Sequence, residues 1–516
     1  MLRSVSKTTS FPVPNRPNQR SRDADLRTKP KETHGRFTPI DFFRRSQRFH
    51  AEQVLRSMHT THNLSKMLAL RYFIITLTLI CMSLLYANTI LFNFTVICME
   101  PNKDISISSN ETRAFSVSQE GWILSTVSIG GVVGTFPAIY ITNRFGLRLT
   151  FTMFGIASGL ATVLMPMAST SFYCILVVRF VQGFGMACAF LTSGAVPITW
   201  GGPAKGLFVS ILTCSYQLGP FMAMLNAGYF CTSPYGWEAV YYLYGCGTIL
   251  TFVVFFVMYT NSPHKNRLAA KSKVSPLPEP QQLPTKKQII PYNRMMKSRS
   301  VWGILATGFG DSVGYEVFLL YGPIYVNTVL KLEIHQTGLL AALPYLISMI
   351  SKFLAGIFLD KATCVGEHFR CISFTAFFQL AMTVSFVLLT LISADVAFLP
   401  SALFTITMVV SGIHHVGLMN ASQIVAQQYT HILSSALAAQ NSLVGLALPP
   451  IVSLIVPNYS AVEWEIVFYG IVVILVVTNI IFVVLTKVKP AKWTRKQLNN
   501  SQREPEELSQ RQLYDM

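Results

Sequence analysis

"WEAVYY", residues 237–242, returns 227 residues later as "WEIVFY", residues 464–469. Each copy opens an apolar run long enough to cross a bilayer as a helix, and each run is the last before a polar, basic stretch. A six-residue repeat at one topological position predicts a chain built from two copies of one unit.

Two further correspondences lie outward from it. The first apolar runs of the two copies begin near Arg71 and near Ser300. The loops after each second run read "YITNRFGLR" at 140–148 and "IFLDKATCVG" at 357–366. Over the whole chain, 51% of the 516 residues are hydrophobic, 12% are charged, and the mean hydropathy is +0.44, which excludes an ordinary soluble protein. Twelve spans follow: 71–97, 120–142, 147–168, 172–197, 207–230, 238–260, 300–325, 337–360, 371–392, 397–420, 433–456 and 465–486. The expected fold is an all-α membrane protein of twelve transmembrane helices in two parallel six-helix pseudo-repeats. Its parts would be a disordered basic tail at 1–68, a first bundle at 69–260, a Pro-rich linker at 261–299, a second bundle at 300–487 and a tail at 488–516.

The formal net charge of +18 is unevenly spread. Of the 41 Lys and Arg, 14 lie in residues 1–70, 9 in 261–299 and 7 in 487–516, all on one side of a twelve-span chain. That is the positive-inside pattern, so both termini and the linker are expected in the cytoplasm, and the charge points to topology and not to nucleic acid. The expected partners are the bilayer and a small solute, for a monomeric multi-pass protein with no cleavable signal ahead of its first span. Asn110-Glu111-Thr112, in the longest outer loop, is the candidate glycosylation acceptor; Asn63 and Asn420 carry the same pattern on the wrong side or within the membrane. The nine cysteines show no metal spacing and read as packing residues, with a Cys98–Cys231 pair near the outer face as the alternative. No phosphate-binding loop and no nucleophile motif appears, which argues against an ATP-driven pump or a membrane enzyme.

The "NRFGLR" loop resembles the Asp-Arg-x-Gly-Arg motif of the major facilitator superfamily, with Asn143 for the Asp. "NFTV" at 93–96, "FPAIYITNR" at 136–144, "RFVQG" at 179–183, "LYGPIYVNTVL" with "TGLLAALPYL" at 320–346, and "EWEIVFY" at 463–469 are similar to the anion transporter family of sialin, the vesicular glutamate transporters and the type I sodium-phosphate cotransporters. The resemblance implies a secondary carrier of a small organic or inorganic anion, working by alternating access at a plasma, vesicular or lysosomal membrane. It implies no cofactor beyond a coupling H+ or Na+. The chain departs from the family at Leu91 (an arginine there), Met186 (an acid) and Lys205 (a glutamate), and no Asp-x-Ala-Pro follows the tenth span. On the seventh span, Asp311 and Glu316 stand near a family histidine and tyrosine.

Ionisable groups in spans usually face a cavity or a partner. Arg179, roughly 10 Å below the outer end of span four, offers paired donors to a carboxylate or phosphate; an interhelical ion pair or a snorkelling side chain is the structural alternative. Asn93 would contact solute or bridge helices. Asp311 and Glu316 are candidate coupling groups, against a role as partners of Lys352 or Arg179. Five residues apart, they point about 140° from each other, so they share a site only if the helix breaks, for which Gly303, Gly308, Gly310 and Gly314 provide. His414 and His415 are candidate proton relays, of which one would face the cavity, or else packing histidines. Lys352 reads as structural, and Gly219-Pro220 as a kink. Arg144 and Arg148 in one half, with Asp360 and Lys361 in the other, form a candidate gate latching the cytoplasmic ends, against simple positive-inside anchoring. A carrier of a neutral or cationic solute, and a non-transporting receptor on a carrier fold, are the competing functions.

Overall fold

The computed structural model describes residues 68–99, 114–201, 205–261, 291–361, 366–392 and 398–494. Twelve long helices fill them: α1 (Leu68–Thr95), α2 (Val117–Phe145), α3 (Leu147–Ala168), α4 (Phe172–Trp200), α5 (Leu207–Thr232), α6 (Glu238–Met258), α7 (Arg299–Thr328), α8 (Ile334–Lys361), α9 (Glu367–Leu391), α10 (Phe398–Ala426), α11 (Thr430–Ile455) and α12 (Ala461–Leu485). Each coincides with an expected span. A turn at Cys214 interrupts α5, and a short helix, Tyr292–Met296, leads into α7. Eleven of the twelve are long and apolar enough to cross a membrane. The exception, α7, falls short in composition alone: at 30 residues it extends about 45 Å against a hydrocarbon core of about 30 Å.

Helix starts follow local capping chemistry. Ser116 accepts from the Gln119 backbone while the Gln119 side chain accepts from the Ser116 N–H, and Ser460 with Glu463 does the same at α12. These boxes satisfy N–H groups that a helix start leaves unpaired. The outer surface of the bundle is apolar, with Leu454 82% and Phe136 73% exposed, which suits lipid and not water.

The repeat seen in the sequence is a repeat of packing. In the first half α2 packs on α4, and α3 on α4 and α6; in the second, α8 packs on α10, and α9 on α10 and α12. The halves meet through α2 with α11 and through α5 with α8, pairs that the same repeat relates. Below, the end of the bundle carrying the 261–291 connection is the linker end, and the opposite one the far end.

Two expectations are corrected. Cys98 and Cys231 form a disulfide, Cα–Cα 6.0 Å, joining the ends of α1 and α5 at the far end of the first half; the turn after Thr95 brings the two together. Cys81, Cys188 and Cys371 are buried, as packing residues would be. Helix α7 does not break at its glycines, because they serve close approach: Cβ atoms at Gly310 and Gly314 would strike Thr478 and Met382.

The tightest helix pair, α2 with α4, also depends on missing side chains. A Cβ on Gly183 would stand 2.2 Å from the Val127 carbonyl oxygen, and one on Gly130 2.1 Å from that of Phe180. Backbone cannot step aside as a side chain can, so Gly183→Leu is expected to destabilise the first half by at least the ~1–3 kcal/mol typical of overpacking. Thermal unfolding in detergent should show it, with Gly247→Ala, which meets nothing within 4 Å, as the unchanged control.

Candidate functional site

Among the described residues, the first half holds one buried cation at depth. Arg179 is 1% exposed and projects from α4 toward α1 and α2. Its Nη1 donates to the Thr89 carbonyl at 2.7 Å and to Gln182 Oε1 at 3.1 Å, and its Nε to the Ile123 carbonyl at 3.4 Å. The guanidinium carbon lies 5.2 Å from the Phe92 ring centroid. Gln182 is held in turn by donating to Thr162 Oγ1 at 3.0 Å. All these acceptors are neutral, and Nη2 makes none of the bonds. Among the described residues no carboxylate lies within 4 Å, so the charge is desolvated but not neutralised. Leu91 and Met186, the departures noted above, pack in apolar surroundings.

In the second half one face of α10 converges on Asp311. Ser411 Oγ donates to Asp311 Oδ1 at 2.6 Å, His414 Nδ1 lies 3.3 Å from the same oxygen, and His415 Nδ1 lies 3.8 Å from Oδ2. Positions 411, 414 and 415 are three and four residues apart, so all three fall on one helix face. His414 Nδ1 is within charge range of Asp311 without hydrogen-bond alignment. Its Nε2 bonds Thr307 Oγ1 at 3.1 Å, Thr307 donates to Gln379, and Gln379 Nε2 donates to Thr478 Oγ1 at 2.8 Å. A polar chain thus runs from Asp311 through α10 and α9 to α12. His414 is fully enclosed, whereas the His415 side chain is 45% exposed.

Glu316 does not join this cluster. Helix α7 is continuous, so Glu316 faces α11, where its Oε1 accepts from Asn441 Nδ2 at 2.8 Å. Neither acid pairs with Arg179 or with Lys352 within 4 Å; for Asp311, Ser411 and the two histidines stand closer. Lys352 lies along α10, its Cε 3.1 Å from where a Cβ on Gly412 would be, within electrostatic range of Asp311 and Cys214.

Hydrogen bonds between described residues cross between the halves toward the far end. Asn93 Nδ2 donates to the Leu319 carbonyl at 3.2 Å, Ser125 Oγ to the Leu446 carbonyl at 2.9 Å, and Tyr459 OH to Glu120 Oε2 at 2.6 Å. There too, a Cβ on Gly121 would meet Ser453 and the Pro449 carbonyl, and one on Gly228 would meet the Gly338 backbone. Toward the far end, then, the described parts of the two halves are in direct contact. At the linker end the loop arginines bond within their own half. Arg148 donates from Nε to the Phe256 carbonyl at 2.7 Å and lies over the Phe256 ring, while Arg144 donates to Tyr140 OH at 3.1 Å. Lys361 is exposed at the end of α8. The Asp360 side chain and Asn110 lie outside what the structure describes.

The sequence reading missed Glu120, 1% exposed, whose one signal was an acid in the first turn of an apolar run. It also missed Gln379 and Ser411, which no single-sequence pattern separates from helix-packing polar residues. Tyr459→Phe removes one hydrogen bond from a buried carboxylate and should weaken the far-end contact by about 1.5–3 kcal/mol. With the native free cysteines replaced, a cysteine placed at Ser453 should then label at least about tenfold faster from the far side.

Residues 68–448 match the profile of the Major Facilitator Superfamily. Human sialin is 23% identical over 410 residues, covering 77% of this chain and 81% of sialin. Rat sodium-dependent phosphate transport protein 1 is 24% identical over 302 residues, 55% of this chain. The chain spans 65% of that protein's length, a little under two thirds. The human probable small intestine urate exporter is 25% identical over 245 residues, 47% of this chain and 49% of the exporter. Among solved structures, a bacterial homolog of the human lysosomal transporter Spinster, inward-facing and unoccupied, superposes with TM-score 0.61 at 14% identity, covering 81% of this chain and 97% of that one. A D-xylose-proton symporter gives 0.60 at 19% identity, covering 81% and 99%. At these identities the structures speak to the fold alone.

Proposed function

The chain belongs to the major facilitator superfamily, and from that premise we propose that it is a secondary carrier of a small organic or inorganic anion, working by alternating access between its two six-helix halves. The observation that carries the anion reading is Arg179, a buried guanidinium held only by neutral acceptors. A planar fork with one terminal nitrogen uncommitted is suited to a carboxylate or phosphate, which would supply the missing charge. The relatives named for phosphate and urate support the same class.

In this reading the linker end is cytoplasmic and the far end, where the halves touch, faces outward, so the structure is the state that loads or releases solute toward the cytoplasm. Asp311 with His414 and His415 takes the coupling proton, since the cluster joins a carboxylate to two imidazoles and, of the two, only His415 reaches open space. In the opposite state the linker ends close, and Arg144 and Arg148 release their bonds within the first half to meet Asp360, in the loop that Lys361 shares. The carrier acts in the plasma membrane or a vesicular or lysosomal membrane, as a monomer.

A second reading, a carrier of a cationic or neutral solute, is favoured by one observation: α7 carries two buried acids while Leu91 removes a cation from the first half. Proteoliposomes of the purified full chain, given labelled phosphate, urate and a series of organic anions and cations, separate the two. Saturable anion uptake is expected. Saturable cation uptake without anion uptake would overturn the leading reading, and a solute that stabilises the protein without any flux would indicate a receptor.

A further inference from the structure

Lys352 is a cation of the second half that neither the Arg179 site nor the Asp311 cluster uses. It stands on the inward stripe of α8, where Tyr345, Ser348, Ala355 and Leu359, spaced three and four residues around it, are all buried. The lipid-facing side of the same helix carries Ile350, Phe353, Leu354 and Ile357, each well exposed. The ammonium therefore does not lie along the lipid surface. Nine residues separate it from the linker end of α8, a depth of about 14 Å.

Its surroundings hold no close counter-ion. Among the described residues Lys352 makes no hydrogen bond, and no carboxylate lies within 4 Å of it. Such a charge is costly at membrane depth unless water or a ligand reaches it, and Lys352 is only partly covered. Across the seam it is in electrostatic range of Cys214 on α5, and within its own half of Asp311 and His415. One turn farther in, Ser348 Oγ is enclosed and makes no hydrogen bond among the described residues. Both side chains close on one point, for a Cβ on Gly412 of α10 would stand 3.1 Å from Lys352 Cε and would strike Ser348 Oγ. Glycine at 412 thus leaves an ammonium and a hydroxyl donor side by side, neither with an acceptor.

Depth separates this pair from Arg179, which lies roughly 10 Å from the far end and is 1% exposed. Arg179 is enclosed and Lys352 partly open, so an anion arriving from the linker end meets the lysine first. We propose that Lys352, supported by Ser348, is a second anion station, which receives solute at the linker end and passes it to Arg179. The two side chains suit the two tasks. A lysine is a compact, strongly hydrated point charge that holds an anion loosely, whereas an arginine fork binds it in fixed geometry. The transport role rests on the carrier reading above; the local attraction for anions does not.

Cys214 reports on the station directly. The full chain in detergent, with Cys174, Cys246 and Cys364 replaced by serine, is treated with an anionic sulfonatoethyl and a cationic trimethylammonium methanethiosulfonate. The ratio of anionic to cationic rates at Cys214 should exceed that of a small thiol in solution about tenfold, fall to the solution value in Lys352→Met and persist in Lys352→Arg. In proteoliposomes, Lys352→Met should raise the half-saturating concentration of labelled phosphate or urate at least about tenfold when the anion is supplied at the linker end, and less than about twofold at the far end. A merely structural lysine would not produce that asymmetry. A solution-like ratio with Lys352 in place, a Cys214 that neither reagent reaches, or equal effects at the two ends would overturn the station. The first of these needs no variant, so it stands even if Lys352→Met fails to fold. Charge-selective labelling without anion flux would count against the carrier and support the anion-attracting lysine; anion flux with unselective labelling would do the reverse.

Discussion

Arg179→Ala is expected to raise the anion concentration for half-maximal uptake by about 10- to 100-fold, the equivalent of one lost charge-assisted hydrogen bond at about 1.5–3 kcal/mol. The residue lies where water is scarce, so its charge acts at low dielectric, and nothing among the described residues neutralises it. An anion docking there gains the attraction without displacing a resident carboxylate. Arg179→Lys keeps the charge and loses the fork, so it should recover only part of the affinity. The arginine also ties α4 to α1 and α2 through Thr89 and Ile123, and Arg179→Ala will lose some stability. Gln182→Ala separates the two roles, because it removes a neutral neighbour of the guanidinium and should lower stability with little change in affinity. An unchanged half-saturating concentration in Arg179→Ala would sink the anion site.

How much of this was legible beforehand depends on the range of the interaction. Helices of the twelve-span pattern announce themselves because each is a continuous apolar run, and the halves because "WEAVYY" and "WEIVFY" fall at matching positions. Partnerships across helices do not announce themselves. Asp311 was matched with Lys352 or Arg179 because those were the cations at membrane depth, yet its neighbours are three residues on one face of α10. The glycines of α7 suggested a break; they mark instead where other helices press close, information that resides in those helices. Cys98 and Cys231 needed a Cα–Cα distance that no spacing supplies. The separation of Asp311 and Glu316 was legible, since it follows from helix geometry alone.

Asp311→Asn is expected to abolish accumulation driven by a pH gradient while leaving exchange of labelled for unlabelled anion at equal pH. Asparagine keeps the shape of the side chain and can still accept from Ser411, so local packing should survive. What it lacks is the negative charge that faces the two imidazoles. Without that charge the cluster no longer changes its proton content between states, and a carrier can then move solute only down its own gradient. The two histidines should differ. His414 is enclosed and anchored through Thr307 to Gln379 and Thr478, so His414→Gln breaks a buried polar chain and lowers stability as well as uptake. His415 has open space on one side, with Asp311 at 3.8 Å and the charge of Lys352 also in range, so His415→Gln should lose coupling with little effect on stability. If Asp311→Asn still accumulates anion at least half as well as the wild type under a pH gradient, the proton is carried elsewhere. Glu316, the remaining buried acid on α7, would then be the group to substitute.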